Sequence, residues 1–471
     1  MNKFPEHFVF GAATAAFQAE GALLEGNRGK NYWDDYLKEQ GMFDPSLASD
    51  FYHKYPEDLE LCRTFGINGL RISIAWSRIF PSGVGKFDPS GVQFYHKLID
   101  ECIANGVEPF VTLHHFDTPL SLFEKGDWLS QKTIIAYVDF AEFCFKEYGN
   151  KVNYWITFNE PWSVVAGQYI IGHFPPNIKY DLPKAIQAMH NMMVAHAKVV
   201  EKYKKAEYLG EIGIVHILES KYGITNHLED TRSARKEHIL ANQFLLDATY
   251  RGHYAEDTLE NIEEILRENK GVLKTTCEEF EILAYAADQI DFIGVNYYAS
   301  HFVKAYIGES TIHHNGTGEK GSSRFALKGV GERVNNPEVP TTDWDWPIYP
   351  QGLEDMLVFI KERYPNYKKI YVTENGMGEK DVLCDKQVQD DSRIAYIFVH
   401  LKAILKAIER GVNVEGYFVW SLMDVFSWTN GYKKRYGLFY VDFKNQNRYA
   451  KKVPIGIRKS ATANCLNKEE R

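Results

Sequence analysis

Two glutamates stand where a carboxylate pair could work on one bond. Glu160 follows the run Val152-Asn-Tyr-Trp-Ile-Thr-Phe-Asn159 and precedes Pro161, and Glu374 follows Lys369-Ile-Tyr-Val-Thr373. Glycoside hydrolysis needs such a pair: one group protonates the leaving oxygen, and the other attacks the anomeric carbon or activates a water. A gap of about 5 to 5.5 Å would make the second carboxylate a nucleophile and retain configuration, whereas roughly 6.5 to 9.5 Å would admit a water and invert it. Arg71, near the end of another apolar run, could pair with Glu374 and favour its ionised form. Glu160 has no cation nearby in sequence, so partial burial would leave it protonated as the acid. A second chemical stretch runs from Asp424 to Asp442. Around the turn signal Asn430-Gly431 it gathers the Ser427 hydroxyl, the consecutive cations Lys433, Lys434 and Arg435, and the Tyr436 phenol. Such a loop is either a solvated basic turn or a grip for an anion carried on a sugar.

The elements that must position these groups alternate along the whole chain. Strand-like runs are expected at Phe8–Phe17, Ile67–Trp76, Val107–His115, Val152–Glu160, Glu211–Leu218, Phe292–Asn296, Lys369–Glu374 and 414–421. Helical spacing separates them at 52–65, 92–104, 133–148, 183–205, 234–250 with further segments to about 287, 352–363 and 391–410. Eight such units imply an α/β chain, a (β/α)8 TIM barrel with long βα loops, and the unbroken alternation favours one domain over residues 1–471. The polar residues Gln18, Arg71, His115, Asn159, Glu160, Asn296, Glu374 and Trp420 fall at or near C-terminal strand ends, the face on which barrels build active sites. Glu160 and Glu374, on the fourth and seventh strands, should face each other across the mouth.

Composition narrows the partners. With 471 residues, 45% apolar and 25% charged, the chain can bury a large core, and its net charge of -9 argues against a nucleic-acid surface. The N-terminus has no apolar signal region, and no run of 18 apolar residues would span a membrane. Six cysteines without CxxC spacing fit reduced thiols in a cytoplasm. No metal or other cofactor is expected. His114 and His115, adjacent on a strand, point to opposite faces and cannot chelate one metal. Gly316 to Ser323 fails the phosphate-loop spacing and reads as a mobile loop, and the sequon at Asn315 reads as meaningless. Trp344, Trp346, Trp420 and Trp428 are either core residues or, on barrel loops, platforms for sugar faces.

These residues resemble glycoside hydrolase family 1, the retaining β-glycosidases. The resemblance rests on Phe10-Gly-Ala-Ala-Thr-Ala-Ala-Phe-Gln18, Arg71-Ile-Ser-Ile-Ala-Trp-Ser-Arg78, Leu113-His-His-Phe-Asp-Thr-Pro119, Thr157-Phe-Asn-Glu160-Pro161, Gly294-Val-Asn-Tyr-Tyr298 and Tyr371-Val-Thr-Glu374-Asn-Gly376, and covers about residues 4–449. It implies that Glu160 is the acid/base and Glu374 the nucleophile, with Arg71 and Tyr298 beside it. It implies too that Gln18, His115, Asn159 and Trp420 bind sugar hydroxyls. Members acting on unmodified sugars usually carry glutamate where this chain has Ser427. That exchange and the set Ser427, Lys434 and Tyr436 resemble the phospho-β-glycosidase branch, which favours Lys434 over its cationic neighbours as the partner of a 6-phosphate. Trp428 is similar to the tryptophan of the galactoside-cleaving members. The implied substrate is therefore a 6-phospho-β-galactoside such as a phosphorylated disaccharide. A 6-phospho-β-glucosidase, a dual-specificity enzyme and a non-catalytic sugar-phosphate receptor are the alternatives. One departure stands out: Lys451-Lys-Val-Pro-Ile-Gly-Ile-Arg-Lys-Ser460 lacks the family's tryptophan, and Pro454 opposes a helix interior, so the last helix is expected to be altered or missing from about residue 453.

Overall fold

The computed structural model describes residues 3–454. Eight parallel strands close into a barrel: β1 Val9–Ala13, β2 Gly69–Ser73, β3 Glu108–His114, β4 Tyr154–Asn159, β5 Glu211–Ile217, β6 Phe292–Asn296, β7 Ile370–Asn375 and β8 Val414–Trp420. Sequence neighbours pair throughout, and β1 closes the ring on β8 with Val9 opposite Gly416 and Ala13 opposite Trp420. The chain is thus a (β/α)8 barrel. Its helices start and stop where the sequence supplies caps. Asp88 accepts a hydrogen bond from the Gly91 N–H at the start of Pro89–Ala104, and Asp181 accepts one from the Lys184 N–H at the start of Leu182–Lys205. Gly66 ends Phe51–Phe65 in the left-handed conformation at φ 72°.

A small apolar cluster fills the barrel interior. Phe110 on β3 meets Phe418 on β8 and Tyr371 on β7 edge-on across the ring, at 4.8 and 5.2 Å between centroids. Ile156, Val215 and Phe292 complete the plug. Glycine makes the room: a Cβ on Gly11 would lie 2.3 Å from the Phe418 ring. Each such side chain contributes roughly 1.5 to 3 kcal/mol by burial, so the plug is a firm base for the polar groups at the mouth.

The two strands that carry the glutamates depart from simple alternation near their C-terminal ends. On β4 the register shifts between Ile156 and Asn159, and on β7 it shifts between Val372 and Glu374. Ile156 belongs to the interior plug, yet Phe158 packs outward on Trp128 and Tyr137, and it is Asn159 that turns back into the barrel. Irregularities of this kind re-aim side chains beside active sites.

The structure corrects three expectations. The strand expected over Phe8–Phe17 ends at Ala13, because the alanine-rich segment has high helix propensity and Ala16–Ala19 makes a helical turn, its Ala16 N–H held by the Ser73 hydroxyl at 2.8 Å. No element is expected between Asn296 and residue 352, yet Thr311–His313, Arg324–Leu327 and Gly331–Val334 join His301–Lys304 and Lys221–Gly223 in a five-stranded sheet that walls one side of the mouth. Within it the loop read as mobile is tied down at both ends. Asn315 accepts from the Gly318 and Glu319 N–H groups, and the Asp345 carboxylate accepts from those of Gly321 and Ser323. Asn315 itself is buried with its amide bonded, in keeping with a sequon without meaning. The expectation for the tail from about 453 falls outside the described residues except for its first two positions.

Candidate active site

At the C-terminal ends of the strands a cavity of about 350 Å³ is lined by Gln18, His115, Asn159, Glu160, Tyr298, Glu374 and Trp420, and on its far side by Trp346, Ser427, Trp428, Lys434 and Tyr436. Arg71 and Asn296, also singled out in the sequence, lie behind this wall and bond to it. The two glutamates sit on one connected hydrogen-bond system. Arg71 Nη1 pairs with Glu374, its Nη2 donates to Asn159 Oδ1 and its Nε donates to Thr112 Oγ1 at 3.1 Å. Asn296 Nδ2 donates to Asn159 Oδ1 at 3.0 Å and to Glu160 Oε1 at 2.6 Å.

This network fixes the orientation of every amide in it. Arg71 can only donate, so Asn159 Oδ1 is an acceptor, and the Asn296 atom that meets both it and Glu160 must be the nitrogen, leaving Asn296 Oδ1 to accept from the Thr373 hydroxyl at 2.8 Å. Asn159 Oδ1 is taken by two donors, so its nitrogen faces His115 Nε2 at 3.2 Å and makes that atom the acceptor. The proton of His115 is therefore on Nδ1, which has no partner among the described residues. Burial, with Arg71 nearby, keeps the ring neutral. Gln18 is oriented likewise: its nitrogen donates to the Phe426 carbonyl at 2.8 Å, leaving Oε1 unpartnered. A donor on His115 and an acceptor on Gln18 are thus left without a partner among the described residues. His114, by contrast, points away, bonded to Thr118 and packed on Trp128.

The two carboxylates differ in their surroundings. Glu160 adopts φ 45°, a left-handed residue between β4 and Pro161, and is 6% exposed. Burial, aided by the charge on Glu374, pushes its pKa up to about 8, against hydrogen bonds from Ser163 and Asn296. Glu374 is pushed up by burial too, but Arg71 and the Tyr298 hydroxyl, 2.6 Å from Oε2, hold charge on it. At neutral pH the pair can therefore present one proton donor and one charge-stabilised carboxylate, the division that a double displacement requires.

The loop after β8 separates its three cations. Ser427 and Gly431, the latter at φ 61°, close the turn by backbone hydrogen bonds of 2.9 Å in both directions. Lys433 is exposed. Arg435 pairs with Asp424 at 2.7 Å. Lys434 is 2% exposed, and its ammonium lies 3.6 Å above the Trp346 ring and 4.9 Å from that of Trp344, with no carboxylate or hydrogen-bond acceptor among the described residues. Burial pushes its pKa well down. The aromatic faces attract the cation, but they supply no counter-charge. Trp428 lines the cavity with its indole roughly parallel to the rings of Phe17 and His115, at 6.0 and 6.4 Å between centroids, and packs on Trp33 at 4.8 Å.

One site residue carried no signal in the sequence reading. Ser163, one helical turn after Glu160, donates to Glu160 Oε2 at 2.6 Å. Its spacing of three places it beside that carboxylate once Pro161 is seen to start a helix. Trp344, read as core or platform, is buried beside Lys434.

The chain belongs to glycosyl hydrolase family 1, whose model matches residues 1–455. Family 1 is a retaining family. Among individual proteins, a 6-phospho-beta-galactosidase of Clostridium acetobutylicum is 64% identical over 96% of this chain and 95% of its own length. Another from Leptotrichia buccalis is 56% identical, covering 97% and 98% respectively. In structure, the family 1 β-glucosidase from Thermotoga maritima superposes with a TM-score of 0.88 at 33% identity, covering 99% of each chain.

Proposed function

We propose that this chain is a retaining 6-phospho-β-galactosidase, and that residues 1–471 act as one catalytic unit. Glu374 attacks the anomeric carbon while Glu160 gives its proton to the departing oxygen. The covalent glycosyl-enzyme is then hydrolysed by a water that Glu160 deprotonates. Arg71 and Tyr298 keep Glu374 charged and aimed, Asn296 orients Glu160, and Gln18, His115, Asn159 and Trp420 take the sugar hydroxyls. Ser427, Lys434 and Tyr436 hold the 6-phosphate, and Trp428 lies against the sugar where galactose and glucose differ. Trp346 supports Lys434 from below.

The observation that carries this reading is the buried ammonium of Lys434, without an acidic partner, in the same cavity as the carboxylate pair. A desolvated cation of this kind is costly unless an anion joins it. A glutamate in place of Ser427 would repel that anion, so serine at this position fits a phosphorylated sugar. Both named relatives are 6-phospho-beta-galactosidases, which favours the galactoside over the glucoside. A receptor would bind the same sugar without needing two carboxylates. We place the enzyme in the cytoplasm, where a charged sugar is retained and where free thiols such as Cys62, Cys102 and Cys144 persist.

Charge-assisted hydrogen bonds are worth roughly 1.5 to 3 kcal/mol each, so a phosphate held by three groups should raise kcat/KM by about three orders of magnitude or more over the unphosphorylated sugar. The test is release of nitrophenol from the 6-phospho-β-galactoside, the 6-phospho-β-glucoside and the plain β-galactoside, assayed side by side. The first should be cleaved best and with retention. Equal rates on the first and third would refute the phosphate reading, and no release from any would leave a receptor.

A further inference from the structure

We propose that Gly378 is a specificity-determining position: it must lack a side chain so that Lys434 and Tyr436 can seat against the main chain as a phosphate clamp. The inference rests on the phosphate reading above and extends it to a residue that touches no substrate. Gly378 lies four residues past Glu374, in the connection that follows β7. A Cβ built there would sit 2.6 Å from Lys434 Cγ, 2.7 Å from Lys434 Cε and 2.9 Å from Tyr436 Cζ, all closer than such atoms approach in proteins. Two clamp residues thus pack on this one backbone position. Its φ is not in the left-handed range, so the backbone would accept alanine and the obstacle is the clamp alone.

Ordinarily a lysine stem would move aside for a methyl group. Here it is confined. Opposite Gly378 the ammonium lies on Trp346 and Trp344, and Trp344 is itself 2% exposed. The clamp's own backbone cannot draw back either. Glu379 and Arg435, the neighbours of Gly378 and Lys434, exchange two backbone hydrogen bonds of 2.9 Å. Arg435 is further held through its ion pair with Asp424, and its carbonyl accepts from Arg393 Nη2 at 3.1 Å. Asp424 is in turn paired with Lys451, and Lys451 also pairs with Asp381, which binds Arg393. The segment after β7 and the clamp loop after β8 are therefore locked at a fixed separation. Any atom added at 378 displaces the phosphate ligands, and none of the three atoms nearest to it belongs to Glu160 or Glu374, whose link to the clamp is the edge contact of Tyr298 with Tyr436.

The experiment is a cycle of Gly378→Ala, Lys434→Ala and the double variant, with kcat and KM measured on nitrophenyl 6-phospho-β-galactoside and binding of galactose 6-phosphate and galactose measured alongside. Gly378→Ala should raise KM and the galactose 6-phosphate Kd roughly ten- to a hundredfold, the range of one charge-assisted contact, with kcat changed less than about threefold. Galactose binding should not change. In the Lys434→Ala background the alanine at 378 should lose most of its effect and keep only what it does through Tyr436, because two of the three atoms it meets belong to the lysine stem. If Gly378→Ala leaves KM unchanged while Lys434→Ala raises it, the seating inference is wrong and the phosphate reading stands. If Lys434→Ala itself leaves KM unchanged, the phosphate reading falls. Full multiplication of the two effects would show that Gly378 acts elsewhere, and also overturn the proposal. Should Gly378→Ala fold poorly, melting curves decide. Removal of the lysine stem in the double variant should recover most of the lost Tm, the remainder being the Tyr436 contact, and a double variant that melts as low as Gly378→Ala would show that the lysine stem does not carry the strain and overturn the proposal.

Discussion

Replacing Ser163 by alanine should move the alkaline limit of the first chemical step upward. The Ser163 hydroxyl donates to Glu160 Oε2 at 2.6 Å, and Glu160, pushed up to about 8, must carry its proton when the glycosidic bond breaks. A hydrogen bond to a carboxylate is worth about 1.5 to 3 kcal/mol and one between neutral groups about 0.5 to 1.5, so Ser163 favours the ionised form by roughly 1 to 1.5 kcal/mol. At about 1.36 kcal/mol per pH unit that is a shift of about 0.7 to 1 unit. The sign follows from which form is lost. Removing the donor disfavours the carboxylate, the pKa rises and the plateau extends toward higher pH. The assay is single-turnover cleavage of an alkyl 6-phospho-β-galactoside, whose poor leaving group needs the proton. Enzyme in saturating excess over the substrate keeps the titration of Lys434 in the free enzyme from entering the profile. The wild type should lose rate tenfold per unit above about 8. A limb that stays put, or moves down, in Ser163→Ala would refute the assignment of Glu160 as the acid.

Other outcomes follow from the same geometry. Glu374→Gln should lower turnover by about a thousandfold or more while the melting temperature holds, because a neutral amide cannot form the glycosyl-enzyme; an unchanged rate would exclude it as nucleophile. Ser427→Glu should weaken the phosphorylated substrate on the order of a hundredfold and the plain galactoside far less, and an equal loss on both would remove Ser427 from the phosphate site. Lys451→Met leaves Asp381 and Asp424 buried with one cation fewer, which should cost about 3 to 5 kcal/mol and, read by calorimetry, lower Tm by roughly 3 to 5 °C; a shift under about a degree would mean that the network is replaceable.

The barrel was legible because each strand is a short apolar run ending in a polar residue, and each helix repeats its apolar face at 3.6 residues. That pattern located both glutamates, Arg71 and His115. Periodicity failed where local cues were too few. The strands at 311–313, 324–327 and 331–334 are at most four residues long, and the sheet they join is completed through His301–Lys304 by Lys221–Gly223, which lies on the far side of several helices in the chain, so no window in the chain displays them. Lys433, Lys434 and Arg435 look alike in sequence, and they are told apart by the pairing of Arg435 with the Glu379 backbone, a contact between two loops. Gly378 has no side chain to announce itself, and its meaning lies in what packs against it.

The buried ammonium of Lys434 has a further consequence. Its proton is held weakly, since burial favours the neutral amine and the facing aromatic rings offset only part of that. A phosphate dianion beside it restores the usual preference for charge, so the affinity for a proton rises on binding. Occupancy and protonation are then thermodynamically linked. Titrating galactose 6-phosphate at mildly alkaline pH, in buffers of different ionisation heat, should give apparent enthalpies that differ in proportion, with net proton uptake. The sugar phosphate would draw a hydrogen ion from the solvent as it enters, and the capture of an anion would be read by the solution as the arrival of a weak base.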